Sequence, residues 1–149
     1  MSENANTSYL CKMKGYHKNM KTLNMLFLRE AFEASWDENT SYLRVKEDGN
    51  PALGQCYPTA KIVQEFFPEL EIVKGEVKTT KGTLEVHFWN VTSRKDAALH
   101  IDLTWQQFPF GSKVVEYRIL DRNKLGDGPV TKKRCSILRE RVQNHISEK

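Results

Sequence analysis

The chain has 149 residues, 39% of them hydrophobic and 28% charged, with a net charge of +4. That suits one domain with a sizeable core and is too apolar for a disordered chain. The charge is too mild, and its Lys and Arg too little interleaved with aromatics, to argue for nucleic acid; no apolar run approaches the ~20 residues of a membrane span.

Residues 1–20 are polar and without period, which predicts a flexible lead-in, with Met20 as an alternative start; residues 21–149 then make a single α+β domain. A helix is predicted over 22–36. Leu23, Leu26, Phe27, Ala31 and Ala34 form one face, with Leu28, Phe32 and Trp36 beside it, so two apolar stripes predict a well-buried helix. Residues 37–55 read as an irregular loop ending in Asn50-Pro51 and Gly54. A second helix follows over 56–67, with Pro58 in its first turn and Pro68 stopping it. Its buried face is Ala60, Val63 and Phe67, flanked by Ile62 and Phe66. The period then changes to two, predicting strands at 70–78, 84–91, 97–104 and 114–120. A basic helix over 131–147, with Leu138, Val142 and Ile146 as its seam, closes the chain.

Three cysteines, Cys11, Cys56 and Cys135, are too few and too widely spaced for a disulfide framework or a zinc site. A reducing compartment follows. Met20–Leu28 starts like a signal peptide, but Arg29 and Glu30 cut its apolar run short. A cytoplasmic location without membrane attachment is the expectation.

Cys56 stands where a glycine-containing turn enters a helix. The unpaired N–H groups and dipole of a helix start favour thiolate, and the thiolate is the nucleophile. In the second strand Leu84, Val86 and Phe88 point one way, and Glu85, His87 and Trp89 the other. In the third, Leu99, Ile101 and Leu103 oppose His100, Asp102 and Thr104. If the two strands form a hairpin with their apolar rows on one face, His87 lies opposite Asp102, or opposite His100 with Asp102 diagonal. Either register puts His87 and Asp102 on one face, within about 4.5–8 Å of each other at Cβ. A helix packed with its first turn over that face would bring Cys56 beside His87.

That order is the order of a thiol acyl-transfer site: Cys56 as nucleophile, His87 as base, Asp102 as orienter. The N–H of Cys56 and the side chain of Gln55 are candidate oxyanion donors. Asn50, Trp89 and Asn90 complete the candidate oxyanion and substrate-binding set. His100 is a rival base on the same face. Trp89 and Trp105 read chiefly as packing, Cys11 as an exposed thiol, and Lys132, Lys133, Arg134, Arg139 and Arg141 as a solvated face. No metal or organic cofactor is required.

Four motifs carry a family resemblance over residues 22–142: Ser35-Trp36 with Thr40, Asn50-Pro51-x-x-Gly54-Gln55-Cys56 leading into Thr59-Ala60, His87-x-Trp89-Asn90, and Asp102-Leu103-Thr104 followed by Gln107-Phe108. Together they resemble the small bacterial family called YunG-like, which is itself similar to papain-like and transglutaminase-like thiol folds. The resemblance implies a Cys-bearing helix packed on an antiparallel sheet of about four strands, with helices at both ends, and the same Cys56–His87–Asp102 roles. Papain-like enzymes set their oxyanion glutamine several residues before the cysteine, whereas Gln55 is adjacent and Asn50 further back. The expected activity is hydrolysis or transfer at an amide, isopeptide or thioester bond of a peptide or small acyl substrate. Two competitors are a non-catalytic binding domain on the same scaffold, which expects a sealed Cys56, and nucleic-acid binding by the last helix.

Overall fold

The computed structural model describes residues 24–93 and 97–148. Among the described residues are three α-helices and one four-stranded antiparallel sheet. The helices are α1 (Met25–Ser35), α2 (Cys56–Phe66) and α3 (Pro129–Ser147). The strands are β1 (Leu70–Lys78), β2 (Leu84–Thr92), β3 (His100–Ile101) and β4 (Lys113–Ile119), in the order β3-β2-β1-β4. The expected lead-in, which holds Cys11, lies outside the described residues, as does Leu23 of the first predicted helix.

Asn24 starts α1, its Oδ1 accepting the Phe27 N–H at 2.8 Å. The buried stripe of α1 is Leu28, Ala31, Phe32 and Ser35. The two-stripe expectation is therefore corrected: Leu26 is 67% exposed and Ala34 also faces solvent. Only the α3 side of α1 is covered, because α1 packs on α3 and the sheet lies beyond α2. In α2 the expected face is the buried one, with Ala60, Ile62, Val63 and Phe66 all inside and Phe67 following them. With Leu70, Leu138 and Val142 these residues make the main core. Each of the buried Val, Leu, Ile and Phe side chains contributes roughly 1.5–3 kcal/mol by leaving water.

The five basic residues of α3 do not form a solvated face. Arg134 is buried with its guanidinium over the Tyr42 ring, and Arg139 grips Glu65 with two hydrogen bonds. Arg141 donates to the Ser35 carbonyl and pairs with Asp37. Lys132 and Lys133 remain exposed. These arginines fasten α3 to its neighbours. Among the described residues no helix is long and apolar enough to cross a membrane.

The sheet has two different faces. Phe88 and Asn90 of β2 meet α2: the Phe88 ring packs edge-on against Tyr57 at 4.8 Å, and Asn90 Nδ2 donates to the Ala60 carbonyl. Ile101 and Leu103 pack against the same core. His87 and Trp89 alternate to the other face, where Trp105 and Phe108 cover the His87 ring. The expected grouping of rows holds. Their burial does not: Leu84 and Val86 are exposed, whereas His87, Trp89 and Val91 are buried. The first half of β2 runs past the cover of α2, and the segment after β3 covers the face that looked polar.

The expected third strand, 97–104, is cut to two residues, pairing Asn90 with Ile101 and Val91 with His100. Neither expected register occurs; the pairing is offset so that Asp102 lies one residue past the strand. Its Oδ1 accepts the Thr104 N–H at 3.1 Å, a turn that ends β3 and leads into the 3₁₀ turn Trp105–Gln107.

Candidate active site at the start of α2

The loop before Cys56 is held from both sides. Gly54 takes a left-handed φ of 74°, and a Cβ there would collide with Ser41 Oγ. Its carbonyl accepts the Tyr42 N–H at 2.7 Å. Gln55 is the residue before the helix, yet its side chain does not cap α2. It is buried and turned back: Nε2 donates to the Asp37 carbonyl at 2.9 Å, and Oε1 accepts the Thr40 hydroxyl at 2.8 Å. Trp36 Nε1 donates to Thr59 Oγ1 at 3.0 Å. The end of α1 thus clamps the first turn of α2. The N–H groups of Cys56 and Tyr57 have no acceptor within the helix, and Pro58 has none to offer. Cys56 itself is partly exposed.

His87 is fully buried, and its Nε2 lies 2.6 Å from Asp102 Oδ2. Asp102 is steadied in turn, because its other oxygen accepts both the N–H and the hydroxyl of Thr104. Three rings wall the imidazole: Trp89 stacked at 5.5 Å, Phe108 edge-on at 4.8 Å and Trp105 edge-on at 5.9 Å. The second ring nitrogen, Nδ1, is buried without a hydrogen bond of normal geometry.

The body of α2 lies over Phe88 and Asn90, not over the His87 face. The contacts Tyr57–Phe88 and Ala60–Asn90 show α2 and β2 advancing in step, which sets Cys56 level with His87. No strand pairs with β2 on that side at His87, because β3 pairs only with Asn90 and Val91. Burial opposes a charge on His87, but the hydrogen bond it donates to Asp102, a hydrogen-bonding interaction with Cys56 and the charges of both raise its pKa to about 9.

A raised pKa stabilises the folded state while the group is protonated. That contribution is complete below about pH 6.5 and is lost as pH rises through about 9. The stability of the wild type relative to His87→Gln is therefore expected to fall across that window, read as converging urea midpoints; midpoints that keep a constant separation would refute the assignment.

The remaining sequence candidates divide. Asn50 Nδ2 donates to the Gln107 carbonyl at 3.1 Å, and its Oδ1 is buried without a partner. Trp89 Nε1 donates to His100 Nδ1 at 2.9 Å, so His100 serves the indole while Asp102 bonds His87. Asn90 is committed to α2. Gln55 has its amide turned into the loop. Cys135 is buried, which, with the Asp127 carboxylate and against the pull of Lys61 and Arg139, pushes its thiol up to about 11. Among the described residues no three His, Cys, Asp or Glu side chains cluster as a metal site. Sequence reasoning missed the parts played by Thr104 and Phe108, although the Asp-x-Thr spacing is a turn signal.

Residues 24–147 match the family described as YunG protein, and the chain belongs to that family. No curated protein and no solved structure gives a significant match.

Proposed function

We propose that the protein carries out thiol-dependent acyl chemistry at an amide, isopeptide or thioester bond, with Cys56, His87 and Asp102 in the roles of nucleophile, base and orienter. One observation carries the reading: His87 has one nitrogen fixed by Asp102 and the other buried without a hydrogen-bond partner, and Cys56 is among the groups near enough to raise the imidazole pKa. In the first step His87 takes the proton of the Cys56 thiol, and the sulfur bonds to the substrate carbonyl carbon. The carbonyl oxygen takes the electron pair and faces the N–H groups of the α2 start. Collapse expels the leaving group, which takes a proton from the His87 imidazolium. Water or another acceptor then gives up a proton to His87 and releases the acyl group. The likeness to papain-like and transglutaminase-like folds belongs to this reading and rests on the order of the three residues. So does placement of the protein in the cytoplasm, where thiols stay reduced.

Partial exposure of Cys56 supports this reading over the binding-domain alternative, which expects a sealed thiol. The test is intact-mass analysis after incubation with simple aryl thioesters of graded acyl size. The expected result is one acyl adduct mapping to Cys56, absent in Cys56→Ser. Turnover without any adduct-forming or turnover defect in Cys56→Ser overturns it, as does a folded wild type that forms no adduct with any of the thioesters.

A further inference from the structure

The edge strand β4 carries a charge and side-chain pattern that its own sheet does not satisfy. All seven residues of β4 are exposed, and Val115, Tyr117 and Ile119 are each 53% exposed. In its pairing with β1, Glu116 stands directly opposite Glu76, and Arg118 directly opposite Lys74. Like charges so placed repel. Among the described residues none of these four side chains forms an ion pair.

The backbone says which groups are free. The Leu120 N–H donates to the Ile72 carbonyl at 2.8 Å, so residues alternating with it, Arg118 and Glu116, turn their backbone groups towards β1. Tyr117 and Ile119 turn theirs outwards, to an edge with no strand on it.

We propose that β4 pairs antiparallel with β4 of a second copy of this chain, about a two-fold axis at Tyr117. This register sets the outward-facing Tyr117 groups of the two copies against each other. It sets Glu116 of each copy against Arg118 of the other, and the regular pairing ends at Val115, the extra residue that β4 inserts at its bulge opposite β1. Each β4 charge that faces a like charge within the monomer meets its opposite across the axis. Axes at Glu116 or at Arg118 would instead oppose like charges, so complementarity selects the Tyr117 register. The interface is isologous and closed, and it joins two four-stranded sheets into one of eight strands. It also brings the candidate sites into one assembly: Tyr117 touches Trp89 at 5.9 Å, and Trp89 stacks on His87.

The test is sedimentation equilibrium of the full chain from micromolar to submillimolar concentration. The wild type is expected to reach twice the chain mass of 17.3 kDa. Glu116→Arg and Arg118→Glu should each weaken association by at least about tenfold, given two pairs lost per interface and repulsion in their place. Either single change also puts an opposite charge across from β1, so the fold itself is not put at risk. The double variant Glu116→Arg/Arg118→Glu recreates both pairs in this register and should restore the dimer. A wild type that stays monomeric throughout overturns the proposal and leaves the charges of β4 as guards against edge pairing. A dimer indifferent to the single changes, or a double variant no tighter than the singles, overturns the register and with it the proposal.

Discussion

Iodoacetamide is expected to label Cys56 at pH 7 at least about tenfold faster than Cys135, with peptide mass mapping reading the three cysteines separately. The two thiols differ in surroundings. Burial and the Asp127 charge hold the Cys135 thiol at about 11, so roughly one part in ten thousand is thiolate at pH 7. Cys56 is partly exposed at an uncapped helix start, coupled to an imidazole whose pKa of about 9 keeps it positive at that pH. Alkylation runs through the thiolate, and in general a neighbouring positive charge favours that form. His87→Ala should therefore slow labelling of Cys56 by about tenfold or more. Asp102→Asn, which keeps the shape but removes the charge behind the imidazole, should give a smaller loss. If Cys56 reacts no faster than Cys135, or if neither variant slows it, the pairing of thiol and imidazole is wrong.

The same contrast shows what could be read from the sequence. The meeting of His87 and Asp102 was legible because two-residue periodicity fixes facing whatever the register. The register itself was not legible. It depends on where β3 stops, and that is set by the Asp102–Thr104 turn rather than by strand propensity. The α2 boundaries were legible from Pro58 and Pro68, which act locally. The burial of β2 was misread because cover is a tertiary property: Leu84 and Val86 lie beyond α2, and Trp105 and Phe108 close over His87 from a segment with no period of its own. The partners of the α3 arginines were invisible for the same reason, since Glu65 and Asp37 are distant in sequence. Gln55 looked like an oxyanion donor by adjacency alone. Its partners, Thr40 and the Asp37 carbonyl, belong to the loop after α1 and show it as a brace for the helix start.

Gly75→Ala is expected to destabilise the protein by about 2 kcal/mol, within the usual range for overpacking. Gly75 sits in β1 between His87 on one side and Tyr117 on the other, where the Trp89 indole crosses the sheet. A Cβ there would come within 2.5 and 2.7 Å of the indole ring and 2.9 Å of the Glu116 carbonyl oxygen. The carbonyl belongs to the paired strand and cannot yield alone. The indole can move only by giving up its hydrogen bond to His100 and its stacking on His87. Two readouts should therefore shift together: the urea midpoint falls, and labelling of Cys56 slows as the wall of the imidazole loosens. Gly126→Ala is the control, since a Cβ at Gly126 meets nothing within 4 Å, and it should leave both unchanged. A Gly75→Ala protein that unfolds at the wild-type urea concentration would mean that the indole does not pack over β1. A lower midpoint with Cys56 labelling intact would mean that Trp89 supports the sheet without positioning His87.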